Sequence, residues 1–306
     1  MKFNNLKGSL ILLTAALIWG LAFVAQTDAA ELVPPLTFNA IRSFIGAFAL
    51  YIFYLILNKG KKTPFFPEEK SKKRGYFIAA TVCGFCLAVS MNLQQFGISL
   101  YPKGVSAAAR AGFITALYVI LVPLFSVFVR KRVPLAVWLG VIIALIGVYM
   151  LCLSDGIDAL YLGDVLIFLC AISFALHIMS IDKYVGVTGG VKLSILQFLV
   201  CGIISLVLSL VFELDVISLK NIFAAAPQIL FMGIMSSGFA YTLQIIGQKY
   251  AEPAVASISM SFESVFAALG GWLISNAALS HRELLGCGLV FVAILVAQLP
   301  EICKKI

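Results

Sequence analysis

The dominant feature of this sequence is a succession of apolar runs of about 20 residues, joined by short polar connectors. A helix that crosses the hydrocarbon core of a bilayer needs about 20 mostly apolar residues, so each run predicts one membrane span. Helices are expected because strands in lipid would need a closed barrel of alternating polarity. The ten predicted spans are residues 8–26, 36–57, 76–98, 106–129, 134–153, 162–184, 192–212, 227–248, 254–275 and 284–300.

The composition agrees with a lipid environment. Hydrophobic residues make up 62% of the 306 residues and charged residues 12%, whereas a soluble domain averages about 45–50% and about 25%. The formal net charge of +8 is concentrated in connectors, so we expect a lipid bilayer as partner and no nucleic acid. The first apolar run could be a signal peptide, but the rest of the chain is equally apolar, which favours an uncleaved first span.

The distribution of Lys and Arg predicts the orientation. Of the 22 such residues, 17 fall on one side of the ten-span arrangement, three on the other and two within spans. Positively charged connectors stay in the cytoplasm. The sequence therefore predicts a multi-pass protein of the cytoplasmic membrane with both termini in the cytoplasm.

The chain also contains an internal echo. The segment "MNLQQFG" at residues 91–97 resembles "YTLQIIG" at 241–247, and residues 8–21 resemble residues 163–176. A copy of five spans crosses the membrane an odd number of times, so the second copy must enter from the opposite side, as in the inverted repeats of secondary transporters. The predicted copies are residues 1–155 and 156–306.

A polar stripe interrupts the eighth span. Tyr241, Gln244 and Gln248 are spaced at i, i+3 and i+7 and therefore share one helix face. We expect this face to line a water-filled cavity between the two copies, because lipid would penalise its polar groups. The alternative is that the amides hydrogen-bond across a helix interface.

Two other spans carry similar faces. In the third span, Asn92, Gln95 and Ser99 repeat the same spacing, with Gln94 on the neighbouring face. In the first span, the face consists of Trp19, Phe23 and Gln26.

Charged residues inside spans mark pathways or ion pairs, because each costs about 2.5–3.5 kcal/mol to insert. Glu263 lies near the predicted midplane. It could be a titrating or cation-binding carboxylate, or a structural acid. Arg110, early in the fourth span, could snorkel, anchor a substrate carboxylate or pair with Glu263 across the pseudo-two-fold axis. For Arg42, early in the second span, snorkelling is the favoured reading.

The remaining candidates are few. His177 could transfer protons or hydrogen-bond a substrate, or form an interhelical bond, but one histidine is too few for a metal site. Cys83 and Cys86 form a CxxC within an apolar run without a second pair, which does not predict a metal or redox centre. We expect no metal and no cofactor. The predicted substrate-site residues are Trp19, Asn92, Gln95, Arg110, His177, Tyr241, Gln244 and Glu263.

Several stretches resemble the drug/metabolite transporter superfamily, specifically its EamA-type members. They include "AALIWGLAFVAQ", "RAGFITALYVILVPLF", "LCAISFALHIMSIDKY" and "SSGFAYTLQIIGQKYAEPAVASISMSFESVFAALGGWL". The resemblance implies an all-α membrane protein with ten transmembrane helices in two inverted five-helix repeats. It further implies a secondary-active exporter of a small metabolite or amino acid-like solute.

Alternatives to this function are a membrane-embedded enzyme and a nucleotide-sugar or sugar-phosphate exchanger on the same fold. The sequence contains no HExxH, GxSxG or GxxxxGK[ST] motif, so we expect neither catalysis nor ATP-driven transport. Small residues such as Gly140, Gly147 and Gly286 suit helices that brace each half or that join two copies in a homodimer.

Overall fold

The computed structural model describes residues 4–59, 64–102, 107–152, 160–275 and 280–302, and within these ranges the chain is helical and has no strand. The α-helices, numbered along the chain, are α1 Asn5–Ala30, α2 Pro35–Leu57, α3 Lys70–Ser99, α4 Ala107–Ala116, α5 Tyr118–Phe128, α6 Leu135–Cys152, α7 Leu162–Thr188, α8 Gly190–Phe212, α9 Leu219–Ala224, α10 Ala226–Phe231, α11 Tyr241–Gln248, α12 Pro253–Met260, α13 Phe262–Ser275 and α14 His281–Ile302. A π-helical segment, Met232–Ala240, joins α10 to α11.

In the described residues, eight helical stretches are long and apolar enough to cross a membrane. They correspond to eight of the predicted spans, and α4 with α5 counts as one of them. The predicted span at 134–153 contains a shorter apolar helix, Leu135–Met150, and the span at 254–275 is divided between α12 and α13. The chain is therefore a multi-pass, all-helical membrane protein.

The break between α12 and α13 has a local chemical cause. Serine hydroxyls in this segment donate back to main-chain carbonyls, Ser257 to Ala254 at 2.8 Å and Ser261 to Ile258 at 2.7 Å. Such bonds compete with the helix ladder and bend helices. The break at Ser261 lies two residues before Glu263 and places that carboxylate at a helix start in the interior.

Glycines let four helices approach at backbone distance. A Cβ atom on Gly97 of α3 would overlap Ile167 Cγ1 and would lie 2.9 Å from the Gly163 carbonyl oxygen of α7. At Gly247 of α11, a Cβ would lie 2.7 Å from Leu12 Cγ of α1. Such close packing is typical of membrane helices. In lipid no hydrophobic effect drives helices together, so they associate through the close van der Waals contact that small residues allow.

The peripheral helices α6 and α14 pack in the same way. A Cβ on Gly140 would lie 2.9 Å from the Ala293 carbonyl oxygen, and a Cβ on Gly147 would lie 2.8 Å from the Gly286 carbonyl oxygen. These small residues are therefore used between two helices of one chain. Their outer faces expose large apolar side chains such as Ile142 and Phe291, which suits contact with lipid.

The start of α2 is capped from a distant helix. The buried Glu213 carboxylate, directly after α8, accepts the main-chain N–H groups of Leu36 at 2.9 Å and Thr37 at 2.7 Å. It also accepts the Thr37 hydroxyl, which lies 2.7 Å from the Ser209 hydroxyl. An anion at a helix N-terminus satisfies orphan N–H groups and the helix dipole, so this contact fixes α2 against α8.

Candidate functional site

One cavity lies in the interior, where helices from both parts of the chain meet. Its volume is about 50 Å³, enough for roughly four water molecules if each needs about 10–15 Å³. It is far smaller than the roughly 300–1,000 Å³ of ordinary ligand pockets. Its lining residues are Trp19, Ala22, Phe23, Gln26, Arg42, Gln94, Thr115, Tyr118, Phe174, Ile178, Ser236, Tyr241, Gln244, Met260 and Glu263.

A chain of amide hydrogen bonds forms one wall. Gln26 Nε2 donates to Gln94 Oε1 at 3.0 Å, and Gln94 Nε2 donates to Thr115 Oγ1 at 3.1 Å. These three residues come from α1, α3 and α4. The wall is therefore polar and fixed across three helices, with its amides satisfied by one another.

The second half of the chain contributes a carboxylate, Glu263, to the lining of the cavity. It is 6% exposed and accepts a hydrogen bond of 3.1 Å from the Tyr118 hydroxyl. None of the ion pairs found in the described residues involves Glu263. Among the described residues, this buried acid therefore has one neutral hydrogen-bond donor, Tyr118.

Arg42 supplies a cation to the same cavity. It is 2% exposed, its Nε donates to Asn39 Oδ1 at 2.7 Å, and its guanidinium lies 5.2 Å from the Phe38 ring centre. Within the described ranges, Arg42 forms no ion pair with a carboxylate. Since one guanidinium has five N–H donors, most of its hydrogen-bonding capacity remains for a cavity ligand.

Asn39 links Arg42 to a second network. Asn39 Nδ2 donates to Asn92 Oδ1 at 2.8 Å, and Asn92 Nδ2 donates to Ser205 Oγ at 3.0 Å. The network joins α2, α3 and α8. It holds Asn39 in the orientation that presents its oxygen to Arg42.

Aromatic rings and open polar atoms complete the lining. The Trp19 and Tyr241 rings meet edge to face with centroids 4.9 Å apart. Trp19 Nε1 and Gln244 Oε1 are buried and have no hydrogen-bond partner among the residues that the structure describes. A donor and an acceptor at one cavity can serve a bound molecule that carries the complementary groups.

The structure brings four of the eight predicted site residues to this cavity: Trp19, Tyr241, Gln244 and Glu263. Phe23 and Gln26, on the predicted face of the first span, also line it. Gln248, the third member of the polar stripe, instead donates to the Ile178 carbonyl at 3.0 Å and fixes α11 against α7.

The predicted face of the third span was wrong by one position. Asn92 belongs to the network with Asn39 and Ser205, and Gln95 donates to the Gln26 carbonyl at 3.1 Å. Gln94, on the neighbouring face, lines the cavity instead. The repeat offset of 150 residues aligns Gln94 with Gln244, and both line the cavity. The i, i+3, i+7 spacing selects Asn92 and Gln95, which do not line it.

Arg110 does not form its ion pair with Glu263. It pairs with Asp164 of α7, donating from Nε at 3.1 Å and also from Nη2. Asp164 further accepts the Tyr101 hydroxyl at 2.7 Å and the Tyr161 N–H at 2.9 Å. The predicted pairing with Glu263 was therefore wrong, and Arg110 links the two parts of the chain near one end of the bundle.

His177 lies outside the cavity lining. It is fully buried, and its Nε2 lies 3.1 Å from Gln197 Oε1 on α8. The interhelical alternative is the one that the structure supports.

The polar lining residues that the prediction missed are Arg42, Gln94, Thr115, Tyr118 and Ser236. Arg42 was expected to snorkel, but it is buried and faces inward. A signal existed, because Arg42 aligns with Gln197, a second buried polar residue, at the repeat offset of 155. A polar residue in both copies at one position indicates the bundle interior.

Comparison with known proteins identifies the family. A family model described as the EamA-like transporter family matches residues 6–153 and again residues 161–298. The chain belongs to this family. This EamA-family protein is therefore a membrane transporter of the drug/metabolite type.

Relatives of this EamA-family protein are also named as transporters. An uncharacterized transporter of Archaeoglobus fulgidus is 27% identical, over 97% of this chain and 87% of the relative. The uncharacterized transporter YoaV of Bacillus subtilis is 23% identical, over 93% and 94%. The uncharacterized inner membrane transporter YedA of Escherichia coli is 24% identical, over 93% and 88%.

A solved structure shares the fold. A chain titled only as a crystal structure of a protein matches with a TM-score of 0.75 and 21% sequence identity, over 95% of this chain and 98% of that chain. At this identity the likeness concerns the fold alone.

Proposed function

We propose that this EamA-family protein is a secondary transporter that moves a small, amphipathic or amino acid-like metabolite through the central cavity by alternating access. The observation that carries this proposal is an interior cavity that holds one acid, Glu263, and one base, Arg42, neither paired with an opposite charge in the described residues. Uncompensated charges inside a membrane protein are costly and mark ligand or ion pathways.

An inverted repeat supports the two conformations that alternating access requires. The family model matches each half of the chain separately. The contact of Gly97 with Ile167 and that of Gly247 with Leu12 are equivalent. Gly97 aligns with Gly247 at the offset of 150 residues, and Leu12 aligns with Ile167 at the offset of 155. We infer ten transmembrane helices in two inverted copies, residues 1–155 and 156–306, with both termini in the cytoplasm.

The contacts at the two ends of the cavity fit an occluded state. At one end, Arg110 and Asp164 join the first copy to the second. At the other end, Ser9 and Ser259 hydroxyls lie 2.8 Å apart, and Ser9 aligns with Asp164 at the offset of 155. We infer that separating one contact at a time opens the cavity to one side, as the repeats exchange their packings.

The lining suggests the chemistry of the substrate. Arg42 offers unused donors for a carboxylate, and Glu263 offers an acceptor for an ammonium or hydroxyl group. Trp19, Phe23 and Tyr241 supply apolar and aromatic surface beside them. Export is the direction that the family resemblance implies, and the transporter names of the relatives favour transport over catalysis.

Reconstitution in liposomes tests this proposal. Purified protein should accumulate or release some members of a pool of labelled amino acids and small organic acids, with and without a proton gradient. Arg42→Gln and Glu263→Gln should each abolish transport, because each removes a charge that faces the cavity and has no counter-charge in the described residues. The controls Arg74→Gln and Glu68→Gln change exposed charges outside the cavity and should transport normally.

Two results would overturn the proposal. The first is normal transport by both cavity variants. The second is chemical conversion of a solute without its movement across the membrane, which would favour an enzyme.

A further inference from the structure

Another pocket lies at the C-terminal end of α2, apart from the central cavity. Its volume is about 240 Å³, and none of its lining residues lines the central cavity. It occupies the junction between α7 and α8 and the last turn of α2. The lining residues are Tyr54, Leu57, Asn58, Thr188, Gly189, Gly190, Val191 and Lys192.

The pocket contains the uncapped start of a long helix. Helix α8 begins at Gly190 and runs for 23 residues, and Gly189 precedes it without a side chain that could cap it. The first N–H groups of a helix have no acceptor within the helix and carry its positive dipole end. Gly189 has a φ of 77°, and a Cβ on it would meet nothing within 4 Å, so the approach is open.

Two of the lining residues carry buried hydroxyls. Tyr54 is 8% exposed and Thr188 is 4% exposed, and neither the Tyr54 hydroxyl nor the Thr188 Oγ1 has a hydrogen-bond partner in the described part of the chain. An unsatisfied buried hydroxyl costs about 1–3 kcal/mol. A ligand that accepts hydrogen bonds would remove this cost.

The pocket also has a cation at its edge. Lys192 Nζ donates to the Pro64 carbonyl at 3.1 Å and lies 5.6 Å from the ring centres of Tyr54 and Phe65. No carboxylate in the described ranges forms an ion pair with it. The ammonium group is therefore held beside the helix start, and no described residue supplies a counter-charge.

The internal repeat allows the start of α8 to be compared with the capped start of α2. At the offset of 155 residues, Lys192 aligns with Thr37, Tyr54 with Ser209 and Asn58 with Glu213. In the other copy, the Glu213 carboxylate occupies the start of α2, bound by the N–H groups there. The start of α8 has neutral Asn58 in place of that acid and a lysine in place of the threonine, so an anion from outside the chain would complete an equivalent cap.

We propose that this pocket binds a phosphate group, supplied by the headgroup of an anionic phospholipid. A phosphate has the acceptor oxygens that helix N-termini, hydroxyls and lysine bind together. Leu57 lines the pocket and is 52% exposed on the outside of the bundle, which provides apolar surface for an acyl chain beside the headgroup. A free phosphate ester would use the same polar groups without that surface.

Native mass spectrometry of the purified full-length protein tests this site. The probes are dioleoyl phosphatidylglycerol and, as a lipid without phosphate, dioleoylglycerol. The wild type should retain phosphatidylglycerol selectively. Tyr54→Phe and Thr188→Val, which each remove only a hydroxyl, should weaken its binding about tenfold, the effect of about one charge-assisted hydrogen bond.

The sharpest variant is Asn58→Glu, which supplies the missing carboxylate from within the chain. It should abolish phosphatidylglycerol binding while the protein without added lipid melts at or above the wild-type temperature. The matched control is Lys183→Met, since Lys183 stacks on Tyr184 near the same end of α7 and does not line the pocket. It should bind phosphatidylglycerol as the wild type does.

The outcomes distinguish the source of the phosphate. Protection against heat by phosphatidylglycerol but not by inorganic phosphate or glycerol 3-phosphate supports a lipid site. Protection by the two soluble anions at the same site supports the phosphate chemistry but overturns the lipid source. Equal retention of both lipids by the wild type, or undiminished phosphatidylglycerol binding by Asn58→Glu, would overturn the proposal.

Discussion

The ion pair of Arg110 and Asp164 gives a quantitative prediction for the substitution Asp164→Asn. The two side chains are 11% and 5% exposed, and the carboxylate also accepts the Tyr101 hydroxyl and the Tyr161 N–H. Burial raises the pKa of Tyr101 above its usual value, as does its bond to Asp164, so this hydroxyl stays protonated and remains a donor at neutral pH.

Removing one partner of a buried pair costs about 3–5 kcal/mol. An asparagine oxygen can still accept from Tyr101 and Tyr161, so we expect a smaller loss, about 1.4–3 kcal/mol, from the closed form. That loss corresponds to a shift of about 10- to 150-fold toward the form that is open at the Arg110 end.

Cysteine labelling measures this shift. With the seven native cysteines replaced, a single Thr115→Cys in the cavity wall reports access for a membrane-impermeant thiol reagent. Asp164→Asn should raise its labelling rate from the Arg110 end at least tenfold. Asp182→Asn, which breaks the ion pair with Lys131 at the opposite end, should not raise labelling from the Arg110 end.

The reversed pair Arg110→Asp with Asp164→Arg should restore slow labelling. Unchanged labelling in Asp164→Asn, or an equal increase in Asp182→Asn, would refute the assignment of this pair as one closure of the cavity.

Three further predictions concern topology, the polar stripe and the glycine contacts. Reporters fused after Lys73 and after Asp158, which lies outside the described residues, should fall on opposite sides of the membrane, cytoplasmic and external; the same side for both would contradict the inverted arrangement. Gln244→Leu should impair liposome transport at normal membrane levels because it removes a cavity amide, and normal transport would exclude Gln244 from the site. The sequence predicts the same loss for Asn92→Leu. For that variant the structure gives a different cause, which is loss of the network that orients Asn39. Gly97→Ala should lower thermal stability by about 1–3 kcal/mol through overpacking against Ile167, whereas Gly112→Ala, with nothing within 4 Å of its added Cβ, should not; equal melting temperatures for the two variants would contradict the close packing of α3 on α7.

The helical class and most spans could be predicted because apolar run length is a direct consequence of bilayer thickness. The split of the ninth predicted span at Ser261 could not be predicted from hydropathy, since it arises from serine hydroxyls that bond to the main chain. The capping of α2 by Glu213 depends on a contact between residues 176 or 177 positions apart, and hydropathy contains no information about such contacts.

The candidate site shows a similar division. Trp19, Tyr241, Gln244 and Glu263 could be predicted because polar or amphipathic residues deep in an apolar span must face the interior. The partners of Arg110 and the inward direction of Arg42 could not, because a long side chain can reach either lipid headgroups or the interior from one backbone position. Which partner an arginine finds is decided by the packing of α4 on α7 and of α2 on α3.

Two-sided labelling tests most directly whether one cavity opens alternately to the two sides of the membrane. A single Phe174→Cys in the cysteine-free protein places a thiol in the lining of the cavity, on α7. Impermeant reagent should label this thiol in right-side-out and in inside-out vesicles alike. Cross-linking Ser9→Cys to Ser259→Cys should block labelling from that end only. Labelling from one side alone, unaffected by the cross-link, would contradict alternating access.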